Sequence, residues 1–230
     1  MTPNAIKQDV LAGQTVAGAM VFEFFSPGMS AILANAGCRF VLYDMEHTGL
    51  GFETLKWLFS SCRGLPIEPM VRVPRGEYTW LARALDLGAR GVMIPMVESA
   101  DQARSIVQAC RYPPVGRRGA AFGFAQCDYQ GGDVGQKIRE ANARTMVIAQ
   151  IETEHGLANV DAIAAVEASM CCGSDTSTCR TSWAYPGSST IRDSMPRCAT
   201  WSAPVDCTAR RPDSWPPTRP GFGGRARWAT

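Results

Sequence analysis

CRFVLYDMEHTGLGFETLKWLFSSCRG, residues 38–64, holds two periodicities back to back. Its first part is a near-continuous apolar run that closes on three polar side chains, Asp44, Glu46 and His47. Its second part, GFETLKWLFSSCRG, spaces its apolar residues as an amphipathic helix does. A strand buried on both faces and followed by such a helix is the repeating unit of a parallel sheet with helices packed outside it.

The same unit recurs along the chain. AGAMVFEFF (17–25) precedes SPGMSAILANAG, PIEPMVRVP (66–74) precedes GEYTWLARALDLGA, GVMIPMV (91–97) precedes SADQARSIVQACRYPP, and TMVIAQIET (145–153) precedes NVDAIAAVEA. Five β/α units are visible, with a longer excursion from Tyr112 to Arg144 after the fourth. Ser99 and Gln102 have the spacing of a capping box, and Gly37 and Gly88 sit where helix C-caps belong. The fold class expected is α/β. A (β/α)8 TIM barrel takes about 250 residues, so five units would leave about three to follow. An open doubly wound sheet shares the pattern, although the G-x-G-x-x-G turn is missing after the first strand.

A net charge of +2 over 230 residues gives no reason to expect nucleic acid or an anionic membrane as partner. No apolar run reaches the roughly eighteen residues of a membrane span. MTPNAIKQDVLAG lacks the basic-then-apolar pattern of a secretion leader, so a cytoplasmic location is expected. In that compartment nine cysteines do not imply a disulfide framework.

The composition changes near Ser169. Residues 170–230 contain no Leu, Glu, Lys, Gln, Asn or His, yet hold Cys171, Cys172, Cys179, Cys198 and Cys207 and four of the six tryptophans. Such a segment is poor material for core strands or helices and reads as loop or disorder. The expected division is therefore 1–168 as the first five barrel units and 169–230 as an aberrant, poorly structured tail.

Polar residues cluster at strand ends: Asp44, Glu46 and His47 after the second strand, Arg72 after the third, Gln150 and Glu152 after the fifth. In a barrel these positions converge on one rim. A histidine beside a carboxylate can act as an oriented general base. A carboxylate from another strand can hold a hard divalent cation, and an arginine can grip a substrate carboxylate. Each also has a plainer reading. Asp44 or Glu46 could cap the next helix, Arg72 could pair with a neighbouring acid, and His155 reads as an exposed loop residue.

VLYDMEHTGLGFETL, VRVP, GVMIPMVESADQARSIVQACRYPPVGRRG and IAQIETEHGLANVDAIAAVE, in that order, resemble the HpcH/HpaI family of metal-dependent 2-oxo-acid aldolases over residues 10–168. The resemblance implies a barrel of the phosphoenolpyruvate/pyruvate type, usually oligomeric, that makes or breaks a carbon–carbon bond between pyruvate and an aldehyde. It implies that His47, oriented by Asp44, is the base, that Arg72 binds the pyruvate unit, and that Glu152 is a metal ligand with Gln150 beside it in the pocket. The cation would be Mg²⁺, Mn²⁺ or Co²⁺. The only lysines are Lys7, Lys56 and Lys137, none at a matching strand end, which disfavours a Schiff base. A CoA-thioester lyase of the related citrate lyase-like group, or a non-catalytic remnant, are the competing readings.

The family continues with a sixth strand of the type I-G-x-x-D-L, whose aspartate is the second metal ligand, and this sequence has no such motif. A slipped reading frame would account for the departure. If Glu167 to Ser174 are written GAG GCG TCG ATG TGC TGT GGA TC, restoring one G after GAG yields codons reading E-G-V-D-V-L-W-I. Codon choice leaves freedom, but Met170 then Cys171 must give Val, Cys171 then Cys172 must give Leu, and Trp183 then Ala184 must give Gly. Residues from about Ala168 onward are therefore expected to be out of frame.

Overall fold

The computed structural model describes residues 1–166 in full and the backbone of residues 170–174. Its strands are β1 (Gly18–Val21), β2 (Phe40–Asp44), β3 (Glu68–Arg72), β4 (Gly91–Ile94), β5 (Met146–Ile151) and β6 (Met170–Ser174). The helices are α1 (Ala5–Leu11), α2 (Gly28–Asn35), α3 (Phe52–Ser61), α4 (Tyr78–Asp86), α5 (Ala100–Cys110), α6 (Val134–Arg144), α7 (Glu154–Ala158) and α8 (Val160–Ala164). All neighbouring strands are parallel and lie in sequence order, β1 to β6. A doubly wound sheet reverses its order at a switch point; this one does not, and its winding is that of a (β/α)8 barrel.

Alternation along the strands divides the apolar side chains between two faces. Val41, Tyr43, Val71, Val92, Ile94, Val147 and Ala149 pack with Leu55, Leu58, Leu81, Leu85, Ile106 and Ile163 of the surrounding helices. Phe40, Leu42, Met70, Met93, Met146 and Ile148 form a second cluster on the opposite face. Continuing that second alternation by two residues leads from Leu42 to Asp44, from Met70 to Arg72 and from Ile148 to Gln150. The inner face is thus apolar at depth and polar at the C-terminal ends of the strands.

Ile6 of α1 joins the inner cluster, so a helix that the sequence pattern did not disclose closes the opposite end. Asn4 caps α1 by accepting from the Lys7 N–H at 3.1 Å, and its amide donates to the carbonyls of Arg90 and Arg144 at 3.1 and 3.0 Å. Lys7 donates to the carbonyls of Ala143 and Thr145. Gly37 and Gly88 take the positive φ values, 88° and 109°, that a left-handed helix end requires.

NVDAIAAVEA carries its expected helix as α8, and a further five-residue helix that the spacing did not disclose, α7, precedes it, started by the Thr153 hydroxyl accepting from the Gly156 N–H at 3.0 Å. One expectation needs correction. No strand was expected beyond Ala168, yet β6 continues the sheet, with Val147 opposite Met170 and Ile151 opposite Ser174. An open strand edge on β5 asks a neighbour for extended backbone, not for leucine. The expected loop character of residues 175–230 lies outside the described residues.

Asn4 is 2% exposed and makes three bonds, so Asn4→Ala is expected to cost about 2 kcal/mol in urea denaturation. A change under about 0.5 kcal/mol would show that α1 is not held as described.

Candidate functional site

Asp44 and Arg72 are the last residues of β2 and β3 and stand opposite each other in the ladder. The Asp44 side chain is 0% exposed and that of Arg72 is 5% exposed. Arg72 Nε donates to Asp44 Oδ1 at 2.6 Å. The same carboxylate accepts from the backbone N–H of Glu46 at 3.2 Å and of His47 at 2.9 Å, and the Thr48 hydroxyl donates to the Asp44 carbonyl. Burial works to raise the Asp44 carboxyl, but Arg72 and the two backbone donors together hold it below the usual carboxylate value.

This geometry revises one role. Asp44 does not touch the His47 imidazole through any of these bonds; it shapes the loop that carries it. The carboxylate beside the ring is Glu46, whose Oε2 lies 3.6 Å from His47 Nε2 and 3.1 Å from Arg72 Nε. The imidazole itself is 65% exposed. Glu46 stood in the strand-end cluster without an assigned role, and its signal was its position two residues after Asp44. Burial pushes its carboxyl upward, Glu152 and Asp44 add to the effect, and Arg72 and His47 oppose it. Phe22, just past β1, covers the Arg72 guanidinium at 5.8 Å from the ring centre.

Glu152 approaches from β5. Its Oε2 accepts from Gln150 Nε2 at 3.0 Å, and its Oε1 accepts from the Met96 backbone N–H at 2.7 Å. Sequence reasoning missed Met96, because a main-chain donor leaves no residue-type signal. The strand ends β2, β3, β4 and β5 thus bring Asp44, Glu46, His47, Arg72, Gln150 and Glu152 to one rim. His155 is 68% exposed with Nδ1 3.9 Å from a Glu98 carboxylate oxygen, outside this set. Lys7 and Lys137 bind main-chain carbonyls elsewhere, and Lys56 lies on the exposed side of α3.

Oxygen chemistry dominates the rim. Two carboxylates, Asp44 and Glu46, pair with one guanidinium, Glu152 adds a third nearby, and Gln150 Oε1 is a buried acceptor without a hydrogen-bond partner. Such an orphaned oxygen beside carboxylates suits a hard divalent cation. The set is nevertheless incomplete, since among the described residues no three His, Cys, Asp or Glu side chains come together closely enough to hold a metal. Glu152 and Gln150 fit one side of such an ion only.

The sequence profile of the HpcH/HpaI aldolase/citrate lyase family matches residues 20–173. The chain belongs to that family. Relatives include the hydroxypyruvate/pyruvate aldolase of Roseobacter denitrificans, 37% identical over 171 residues that cover 71% of this chain and 63% of the relative. The 4-hydroxy-2-oxovalerate aldolase of Novosphingobium aromaticivorans is 41% identical over 145 residues, 61% of this chain and 53% of the relative. The match to these curated HpcH/HpaI relatives thus spans less than two thirds of their length. In three dimensions the chain superposes on an HpcH/HpaI aldolase from Desulfitobacterium hafniense with TM-score 0.75 and 27% identity, covering 84% of this chain and 75% of the other. The citrate synthase SbnG matches with TM-score 0.69 and 27% identity, covering 84% and 75%.

Asp44→Ala leaves Arg72 buried without its partner and is expected to cost about 3–5 kcal/mol near pH 7. Because the folded value of Asp44 is depressed, its contribution is present above the unfolded value of about 4 and is lost as pH falls through the lower folded one. The variant should therefore lose less stability than the parent between about pH 5 and pH 2. Parallel pH profiles in urea titrations would refute the pairing.

Proposed function

We propose that this chain carries the site of a carbon–carbon lyase, performing aldol cleavage and formation between pyruvate and an aldehyde. The observation that carries the reading is the convergence on one rim of an accessible imidazole, a buried guanidinium and a carboxylate from distant strands, in a chain of this family. Cleavage of a 4-hydroxy-2-oxo acid requires loss of the 4-hydroxyl proton. The C3–C4 pair then passes to the enolate of pyruvate as the aldehyde leaves, and C3 afterwards takes up a proton. His47 is the group exposed to take the hydroxyl proton and return one to C3, with the Glu46 carboxylate 3.6 Å from its Nε2. Arg72, fixed by Asp44, presents positive charge toward the substrate carboxylate and the developing enolate.

A divalent cation, Mg²⁺, Mn²⁺ or Co²⁺, would supply Lewis-acid polarisation of the keto oxygen when bound, and Glu152 with Gln150 is the part of its site present here. The missing aspartate is the expected consequence of the shifted frame, and we infer that residues from about Ala168 onward derive from it. The chain as written would then be impaired. No Schiff base is involved in this reading. Homo-oligomer formation in intact relatives and a cytoplasmic location belong to the same proposal. The unpaired thiols of Cys38, Cys62, Cys110 and Cys127 are consistent with that compartment. No helix among the described residues is long and apolar enough to cross a membrane.

Sequencing the gene across codons 165–175 tests the frame. The frame-restored protein is expected to release pyruvate from 4-hydroxy-2-oxo acids with Mg²⁺ or Mn²⁺ at least about 100-fold faster than the chain as written. Equal rates, or release of acetyl-CoA or glyoxylate from a CoA thioester in place of pyruvate, would overturn the reading.

A further inference from the structure

Met96 is the one described residue at the site with a left-handed backbone, φ 55°, a region that side-chain-bearing residues other than Asn and Asp seldom occupy. It follows β4 and Pro95, and its conformation turns its N–H toward Glu152 Oε1 at 2.7 Å. Such a conformation persists only where the surroundings overdetermine it. The surroundings here are specific. Gln102, in the first turn of α5, uses both ends of its amide on this turn: Nε2 donates to the Met96 carbonyl at 3.1 Å, and Oε1 accepts from the Glu98 N–H at 2.9 Å.

The Ser99-to-Gln102 spacing predicts that the glutamine reaches back to cap its own helix. Ser99 does accept from the Gln102 N–H at 3.2 Å, but the glutamine side chain goes past the cap to residues 96 and 98. From the other side, the Val97 N–H donates to the Gln150 carbonyl at 3.2 Å, and the Asn159 amide donates to the Glu98 carbonyl at 2.9 Å. Gly156 packs so closely that an added Cβ would come within 2.7 Å of the Val97 carbonyl oxygen. The turn is clamped between α5 and the segment following β5, and its product is one hydrogen bond to Glu152.

We propose that Gln102 is a positioning residue for Glu152, acting through Met96. Helix α5 locks the left-handed turn, and the turn holds the carboxylate in one orientation, leaving Gln150 to hold the other oxygen. The importance of that orientation rests on the reading of Glu152 as a ligand-facing carboxylate, but the clamp itself is read without any activity.

The test follows the amide of residue 96 by ¹⁵N NMR hydrogen exchange in the full chain. Glu152→Ala and Gln102→Met are each expected to speed Met96 exchange about tenfold, the loss of one hydrogen bond's worth of protection, with amides of β2 and β3 unchanged. Gln102→Glu keeps the acceptor for Glu98 but not the donor for Met96, and is expected to show the same increase. In a Met96→Gly background, where the left-handed turn no longer needs locking, Gln102→Met is expected to shift exchange by less than about twofold. Unchanged Met96 exchange in Gln102→Met, or an equal effect in both backgrounds, would overturn the proposal. In the frame-restored protein Gln102→Met is further expected to lower kcat for pyruvate release about tenfold, with Met96→Gly recovering most of it. Altered exchange with no pyruvate release in any variant would sink the lyase reading and leave the clamp standing.

Discussion

The buried pair of Asp44 and Arg72 is the constraint around which the rest of the site is arranged. Two full charges with little or no solvent contact cost several kcal/mol each in lost hydration, and that cost is offset only by good geometry and further hydrogen bonds. The chain supplies both. Parallel register sets the two residues side by side at the ends of β2 and β3. The turn after β2 adds two main-chain donors to the carboxylate. Satisfying Asp44 therefore dictates the path of residues 44–48, and that path decides where Glu46 and His47 stand. Structure and chemistry are not separate tasks for this aspartate: the bonds that make its burial tolerable also aim Arg72 and present the imidazole.

Charge imbalance is the second organising feature. With Asp44 committed to Arg72, burial raises the Glu46 carboxyl and the neighbouring Glu152 carboxylate adds to the effect. Such crowding is costly in an isolated chain and is relieved by a cation or by protons. A rim that sets this demand beside a guanidinium fits the proposed meeting of a keto acid and a cation. Glu152 is held at both oxygens before any ligand arrives, which lowers the ordering cost of binding.

The sequence discloses the barrel because its strands are buried on both faces and its helices on one, so hydrophobic spacing alone separates the elements. It also discloses the rim residues by type, since Asp44, Glu46, His47, Arg72, Gln150 and Glu152 interrupt apolar runs at strand ends. What escapes is carried by the backbone. The Met96 N–H, the left-handed turn and the Gln102 clamp depend on φ, ψ and close approach, for which a methionine and a glutamine give no signal. Helix α1 escapes because seven residues give too few turns for periodicity to register. The division of roles between Asp44 and Glu46 escapes because alternation places both on the same face and cannot say which reaches the imidazole. β6 escapes for a different reason: composition argues against a core strand, while the open edge of β5 accepts any backbone that can extend along it.

The central claim is that this rim generates the enolate of pyruvate, and the measurement closest to it omits the aldehyde altogether. Proton NMR of pyruvate in D₂O, with the frame-restored protein and Mn²⁺ or Mg²⁺ in substoichiometric amount, follows exchange of the methyl hydrogens. The account predicts protein- and metal-dependent loss of the methyl signal, abolished by His47→Ala and by Arg72→Met. Methyl exchange that proceeds equally well in those two variants would contradict it.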